Sequence, residues 1–323
     1  MRIGLIGLGK AGLRHAEALR KSGEAEIVGV ADPAAAAARA AAELGAPLLA
    51  SYEALLAEVP MDGVVVSLPH AMLAQAAVAA ARRGVHVLLE KPMGVTTSEA
   101  REVTHACREA GVRLMVNFVH RFRFEYRQAF AALRAGAIGR PVLFVDIMAS
   151  GRGDMPPWVW RREAAGGGML MYNGIHSVDR LAWLAGAPIT QVSAALGTFS
   201  FPVELEDSAV ATLTFANGCL GALVQHKSDA AVTLGTWQTM VYGTRGAMQI
   251  VTGSHLEIAG EKERATSRVA EDDRFLGAAR EFIAAVREGR DPSPSGEEGV
   301  HALAATLALY EAASEGRAVA VAA

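Results

Sequence analysis

Three groups of residues in this chain have types and spacings suited to chemistry. The first is Gly7-Leu8-Gly9-Lys10-Ala11-Gly12, which follows the short apolar run Met1 to Ile6 and leads into an Ala/Leu-rich helical pattern. Gly7 permits a tight turn, Gly9 lets backbone approach a pyrophosphate, and Gly12 allows close packing of helix on strand. Phosphates can then rest on a helix N-terminus. Asp32 ends a second apolar run, Ile27 to Ala31, at about the 20-residue offset where a carboxylate accepts from a ribose 2′-hydroxyl. The order strand, glycines, helix, strand, Asp reads as a dinucleotide site. A carboxylate repels a 2′-phosphate and no Arg follows Asp32 closely, so NAD is expected in preference to NADP.

The second group is Glu90-Lys91-Pro92, directly after the apolar run Val85 to Leu89. Open α/β sheets place ligands at the C-terminal ends of their strands, so a lysine there is expected to face the cofactor crevice. Ser67-Leu68-Pro69-His70 ends the preceding run in the same way and is a candidate lining for the nicotinamide side. The third group is Gly166-Gly-Gly168-Met-Leu-Met-Tyr172-Asn173-Gly174-Ile-His176-Ser-Val-Asp179. Its glycines permit close backbone approach, and the residues after them predict a helix with Tyr172 and His176 one turn apart. Asp179 shares a face with His176, where a carboxylate can fix the imidazole tautomer and make an acid/base element. Asn117, Arg121, Trp158 and Asn173 are candidates for the substrate pocket, the first three at its rim, with Trp158 able to stack on a sugar face.

These groups need elements to position them. From Met1 to about Phe118 the chain alternates β-like runs (Arg2 to Ile6, Ile27 to Ala31, Val64 to Leu68, Val85 to Leu89, Arg113 to Asn117) with helical ones. The helices are expected at Ala11 to Ser22, Ala34 to Leu44, Tyr52 to Glu58, Ala71 to Arg82 and Ser98 to Ala110, the last capped by Thr97 or Ser98. That alternation predicts a doubly wound parallel sheet. A second, α+β domain is expected from residue 121 to 323, after a first domain over 1–120. It opens with a helix (Phe124 to Ala135) and a strand (Val142 to Met148). Ser208 to Phe215 and Cys219 to Gln225 then flank the hairpin signal Asn217-Gly218. Further strands are expected at Thr236 to Tyr242, Ala247 to Val251 and His255 to Ala259. Gly260 to Asp273 reads as a charged loop, and helices at Arg274 to Glu288 and Glu297 to Glu315 close the chain. The large, mostly antiparallel open sheet has one face left over, which predicts a homodimer or homotetramer contact.

Composition narrows the classes. The 323 residues are 51% hydrophobic and 20% charged with a formal charge of −3, which fits a folded two-domain enzyme and disfavours nucleic acid as a partner. Cys107 and Cys219, far apart, suggest buried thiols and neither a disulfide framework nor a zinc site, and no histidine pair has metal spacing, so no metal is expected. No run approaches a membrane span, and the cytoplasm is the simplest address.

Over essentially its whole length the sequence resembles the glucose-fructose oxidoreductase/inositol dehydrogenase/MocA family. The likeness is carried by Gly7 to Gly12, Glu90-Lys91-Pro92, the segment Asn117-Phe-Val-His-Arg-Phe122, the Gly166 to Asp179 motif and Ser295-Gly-Glu-Glu-Gly-Val-His301. It implies an N-terminal Rossmann domain, a C-terminal domain with a large open sheet that often mediates oligomers, and NAD(P)-dependent chemistry on sugars, cyclitols or related alcohols. Lys91 and His176 fall on the family's catalytic lysine and histidine. Tyr172 stands where the family often has Asp, Leu73 where it often has His, and His70 where Asn is common. Hydride transfer from a secondary alcohol is therefore expected, with His176 taking the hydroxyl proton and Lys91 stabilising the alkoxide. Tyr172 is the alternative proton carrier, since a neighbouring ammonium lowers a phenol pKa from about 10. Two rival readings stand beside this one: a dihydrodiol or imine oxidoreductase, and a ligand-sensing regulator that keeps the dinucleotide site without turnover.

Overall fold

A computed structural model describes residues 1–34, 37–151, 153, 155–230, 234–261, 264–269 and 274–322. The chain divides into two compact units, Met1–Val119 with Arg274–Val300, and His120–Asp273 with His301–Ala323. A contiguous division near residue 120 would leave the helix Arg274–Glu288 with the second unit. It belongs to the first, where it packs on the helix that follows the glycine loop.

In the first unit, strands β1 (Arg2–Ile6), β2 (Glu26–Ala31), β3 (Leu48–Leu49), β4 (Gly63–Val66), β5 (His86–Leu89) and β6 (Leu114–Val116) form one sheet in the order β3-β2-β1-β4-β5-β6. Every pairing is parallel. β4 is buried along its whole length, as expected of a strand covered on both faces. The crossover helices are α1 (Lys10–Ser22), α2 (Ala37–Leu44), α3 (Tyr52–Glu58), α4 (His70–Arg82) and α5 (Thr97–Glu109). Residues 35 and 36, at the expected start of α2, lie outside the described residues. The α5 cap is Thr96, one residue earlier than expected: its side chain accepts from Glu99 N while Glu99 returns a bond to Thr96 N, a reciprocal capping box.

The second unit holds α6 (Phe124–Arg134), β7 (Pro141–Ser150), the short α7 (Arg162–Ala165), α8 (Ile175–Ala185), and strands β8 (Ile189–Gly197), β9 (Ser208–Phe215), β10 (Leu220–Lys227), β11 (Thr236–Gly243), β12 (Gly246–Val251), β13 (His255–Gly260) and β14 (Arg264–Arg268). After α9 (Arg274–Glu288) and α10 (Gly296–Glu315) comes β15 (Val319–Ala320). The nine-stranded sheet runs β14-β13-β12-β11-β7-β10-β9-β8-β15. β7 and β10 are parallel and every other neighbouring pair is antiparallel. Burial alternates along β9 and β10, which is the mark of a sheet with one covered face. α6 and α8 pack within this unit against β12, β13 and β7. The stretch read as a charged loop contains β14, whose five residues pair with β13 as an exposed edge strand; residues 262, 263 and 270–273 are outside the described set. Both cysteines are buried free thiols. Among the described residues no helix is long and apolar enough to cross a membrane.

Candidate active site

In the first unit, Gly7 donates its N–H to Ala31 O at 2.8 Å and holds φ at +90°. A Cβ there would overlap Ser67 O, and one on Gly12 would overlap Gly7 O. Gly9 differs: a Cβ on it would meet nothing within 4 Å. Gly9 is also the N-cap of α1 and makes no side-chain cap bond. Open space over a helix N-terminus that lacks an acidic first turn is the form a pyrophosphate needs, so these residues fit NAD. Asp32 stiffens the cradle by accepting from Leu8 N at 2.7 Å and from Ala34 N at 2.8 Å. Lys10 and Gly9 are exposed and Ala11 is half-buried. Ser67, Leu68 and Pro69 are half-buried after β4, whereas His70, expected in the same lining, is the first residue of α4 and is buried.

Glu90 and Lys91 follow β5 directly. Glu90 is buried, and its Oε1 accepts from His15 Nε2 at 2.9 Å and from Asn117 Nδ2 at 2.5 Å. Burial alone would push the Glu90 carboxyl up. The bond and charge of His15, the Lys91 ammonium and the Asn117 amide outweigh it and hold the group below its usual value. Because that carboxylate only accepts, His15 Nε2 carries the hydrogen. Asn117, expected at a pocket rim, is 1% exposed and belongs to this cluster. Lys91 is brought down to about 8 by burial, with Glu90 pulling the other way. Its ammonium is thus poised near working pH, in the same unit as the glycine cradle.

In the second unit, Gly166 ends α7 with φ +76°. A Cβ on Gly168 would overlap Glu206 O and one on Gly167 would overlap the Tyr310 hydroxyl. The glycines therefore make room for the chain's own Glu206 and Tyr310. The Glu206 carboxylate accepts from Gly168 N at 3.0 Å, Leu170 N at 2.9 Å and Tyr310 Oη at 2.7 Å. Burial pushes that carboxyl up, against the pull of these donors. Leu170–Gly174 winds as a π turn before α8 begins at Ile175. The expected single helix thus carries a widened turn at Tyr172 and Asn173, a feature common at functional sites. Tyr172 and Asn173 are half-buried, and Tyr172 meets Trp158 edge-on with centroids 6.0 Å apart.

His176 is 8% exposed and stacks on His120, with centroids 4.4 Å apart and ring planes within 14°. Both oxygens of Asp179 accept from Arg121, at 3.0 Å from Nε and 2.5 Å from Nη2. Arg121, expected at the rim, is 5% exposed in this ion pair. Its removal from the rim has a simple cause: a desolvated carboxylate on the inner face of α8 requires a cation. Arg180 is fully buried beside Asp146, its Nη2 2.6 Å from Oδ1, and donates from Nη1 to His120 Nδ1 at 2.5 Å.

Sequence reasoning missed His15, His120, Glu206 and Tyr310 as site residues. His120 lay within the segment Asn117 to Phe122 that carried the family resemblance. The other three had no local signal, since their partners lie from 36 to 139 residues away.

The profile described as "Oxidoreductase family, NAD-binding Rossmann fold" matches residues 1–118, and the GFO/IDH/MocA C-terminal domain matches residues 126–249. The rhizopine catabolism protein MocA of Rhizobium meliloti is 30% identical over 247 residues, covering 76% of each chain. Myo-inositol 2-dehydrogenase of Thermotoga maritima is 28% identical over 99% of this chain and 98% of its own. Among solved structures, levoglucosan dehydrogenase in complex with NADH superposes with a TM-score of 0.90 at 22% identity, over 100% of this chain and 99% of that one. The chain belongs to the GFO/IDH/MocA family and is an oxidoreductase with an NAD-binding Rossmann domain.

Proposed function

We propose that this oxidoreductase transfers hydride between NAD and a secondary alcohol or ketone of a sugar, cyclitol or related polyol. The observation that carries the reading is Lys91, an ammonium brought to about 8 at the end of β5 in the unit that holds the glycine cradle. NAD supplies the hydride acceptor. Gly7, Leu8, Gly9, Lys10, Ala11 and Gly12 hold its pyrophosphate, Asp32 its ribose, and Ser67, Leu68 and Pro69 the far end of the site, with His70 and Glu90 supporting it from buried positions. Lys91 stabilises charge that develops on the substrate oxygen. His176 takes the hydroxyl proton in oxidation and returns it in reduction, with Tyr172 as the other candidate carrier. Asn173 and Trp158 contact the substrate, while Asn117, Arg121 and Asp179 act from behind, through the partners described above. The substrate class draws support from relatives named for a cyclitol, myo-inositol, and for a sugar, levoglucosan.

The first unit is thus the dinucleotide domain and the second the substrate domain. The second also carries the homo-oligomer contact, for a dimer or tetramer, on the open face of its sheet. Val210, Val224 and Ile147 lie in one row across three strands, and Ala222, Val145 and Met240 in the next. Such an apolar row is a surface that association would cover. Light scattering of a monomer at working concentration overturns that assignment.

The test of the activity is a screen of sugars, cyclitols and dihydrodiols with NAD and NADP in parallel, read by absorbance of the reduced nicotinamide. Turnover of a polyol with NAD, reduced by about a hundredfold or more in Lys91→Met and His176→Ala, is the expected result. Turnover of a dihydrodiol alone moves the substrate class, and no turnover of any compound overturns the reading.

A further inference from the structure

His176 lies on a helix, where the ring torsion of histidine is broad and roughly two-fold. An acid/base imidazole needs its plane fixed, and a neighbouring ring packs flat against this one. His120, in the short 3₁₀ turn Val119–Phe122, lies face to face with His176, and Tyr126 of α6 continues the column beyond it, 6.4 Å from His120 with planes within 6°. Trp237 of β11 closes in at an angle, 5.8 Å away.

What holds His120 is a chain of buried polar groups. Asp146 of β7 is 0% exposed, and its Oδ1 accepts from Thr239 Oγ1 at 2.5 Å and from Arg180 Nη2 at 2.6 Å. Arg180 also donates to Ser177 Oγ at 3.2 Å and lies over the Tyr126 ring, 4.7 Å from its centroid. Its Nη1 reaches His120 Nδ1. A guanidinium has donors and no acceptor, so Nδ1 of His120 offers its lone pair and the hydrogen resides on Nε2. The charged and titratable groups that these contacts place about His120 include Arg180, Asp146, Tyr126 and His176, with the buried Arg123–Glu125 pair on the turn that follows it and the Arg121–Asp179 pair adjacent in sequence to His120 and Arg180.

We propose that His120 is a positioning residue that sets the ring plane of His176 and, because Arg180 occupies its Nδ1 lone pair, leaves the proton of the stacked pair to His176. Two stacked imidazoles with equal access to a proton would divide it, and the fraction of His176 in the reactive state would fall. The guanidinium breaks that symmetry. Protonation of His120 would cost the buried bond from Arg180 and set a second cation directly against the first, whereas protonation of His176 leaves that bond in place.

The inference rests on the proposed role of His176, and its test separates the two. With ¹⁵N-labelled histidine, long-range proton-nitrogen spectra read each ring's tautomer, and His120→Gln and His176→Ala assign the two sets of peaks by loss. His120 is expected to keep the Nε2–H tautomer between about pH 5 and 8 while His176 responds to pH. A His120 ring that gains a second proton in that range overturns the proposal whatever the enzyme's activity.

The kinetic arm uses His120→Gln, which keeps an acceptor for Arg180 and removes the ring. Its kcat is expected to drop about tenfold to a hundredfold with KM for NAD unchanged, because a displaced reacting group loses rate rather than cofactor affinity. His120→Ala should lose as much rate and also stability, so the Gln variant reports position free of folding. Wild-type kcat and pH profile in His120→Gln overturns the positioning role. An active His176→Ala instead removes the reading of His176 as the acid/base group and leaves the spectroscopic result standing.

Discussion

His15 Nε2 lies 2.9 Å from Glu90 Oε1, which ties the helix after the glycine loop to the residue that precedes Lys91. Asn117 Nδ2 converges on the same oxygen from the end of β6. Cutting either donor leaves a buried carboxylate short of a partner. His15→Ala is expected to lose about 1–3 kcal/mol in urea unfolding at neutral pH. The Glu90 carboxyl is held below its usual value when folded, so its share of stability is present above the unfolded value and is lost as pH falls through the folded one. The deficit of His15→Ala should therefore narrow in acid below the usual carboxylate range, and a deficit constant with pH would make His15 only a packing residue.

The charge of Lys91 should set an alkaline limit on catalysis. Its ammonium titrates at about 8, so a step that needs the positive charge is supported below that pH and fades as pH rises through it. Glu90→Gln removes the partner that opposes desolvation. The limb in kcat/KM should then move to lower pH, by about one unit for each 1.4 kcal/mol of lost interaction. Lys91→Arg keeps its charge through the same range and should erase the limb at a much lower rate. An unmoved limb in Glu90→Gln would assign it to another group.

The three motif glycines should separate by experiment. Gly7→Ala meets both a positive φ and the Ser67 carbonyl, and Gly12→Ala meets the Gly7 carbonyl. Both are expected to lower stability by about 1–3 kcal/mol or to abolish folding. Gly9→Ala meets nothing in the protein, so its melting temperature should match the parent. Its Kd for NAD should rise about tenfold, or about 1.4 kcal/mol, because the methyl group takes the place of a phosphate. Calorimetric titration together with thermal unfolding reads both effects, and parental NAD affinity in Gly9→Ala would move the pyrophosphate elsewhere.

These three glycines also show which parts of the molecule were legible in advance. Gly7, Asp32 and Lys91 sit at strand ends in a βαβ alternation, where position in the chain translates directly into position on the sheet edge. β14 was hidden because its residues, Arg264-Ala-Thr-Ser-Arg268, are those of an exposed edge and carry no buried alternation. β8 and β15 escaped for a related reason, as two polar residues interrupt the start of one and the other has two residues. The partners of His176 were less legible still. An i,i+3 carboxylate is a local signal, and it pointed to Asp179, both of whose oxygens accept from Arg121. The ring that stacks on His176 comes from 56 residues earlier in the chain, and only the packed fold brings it there.

Glu206 should control the shape of the Tyr172 to His176 segment without touching a reactant. Its carboxylate accepts from Gly168 N and Leu170 N, the donors exposed where the π turn begins, and Tyr310 Oη steadies it from α10 while accepting from Met171 N at 3.1 Å. Glu206→Ala orphans two buried backbone donors at a cost of about 1–3 kcal/mol for each, enough to let the turn relax toward a regular helix. Relaxation of a π turn removes one residue from the register and rotates everything before it by about 100° against α8. Tyr172 would then swing away from Trp158 while His176 stays in place. Glu206→Gln keeps one acceptor oxygen and should retain most of the stability and turn geometry. The expected pattern is a large rise in substrate KM for Glu206→Ala, a small one for Glu206→Gln, and NAD affinity unchanged in both, measured by steady-state kinetics and cofactor titration. Equal KM values in parent and Glu206→Ala would show that the π turn does not shape the substrate site.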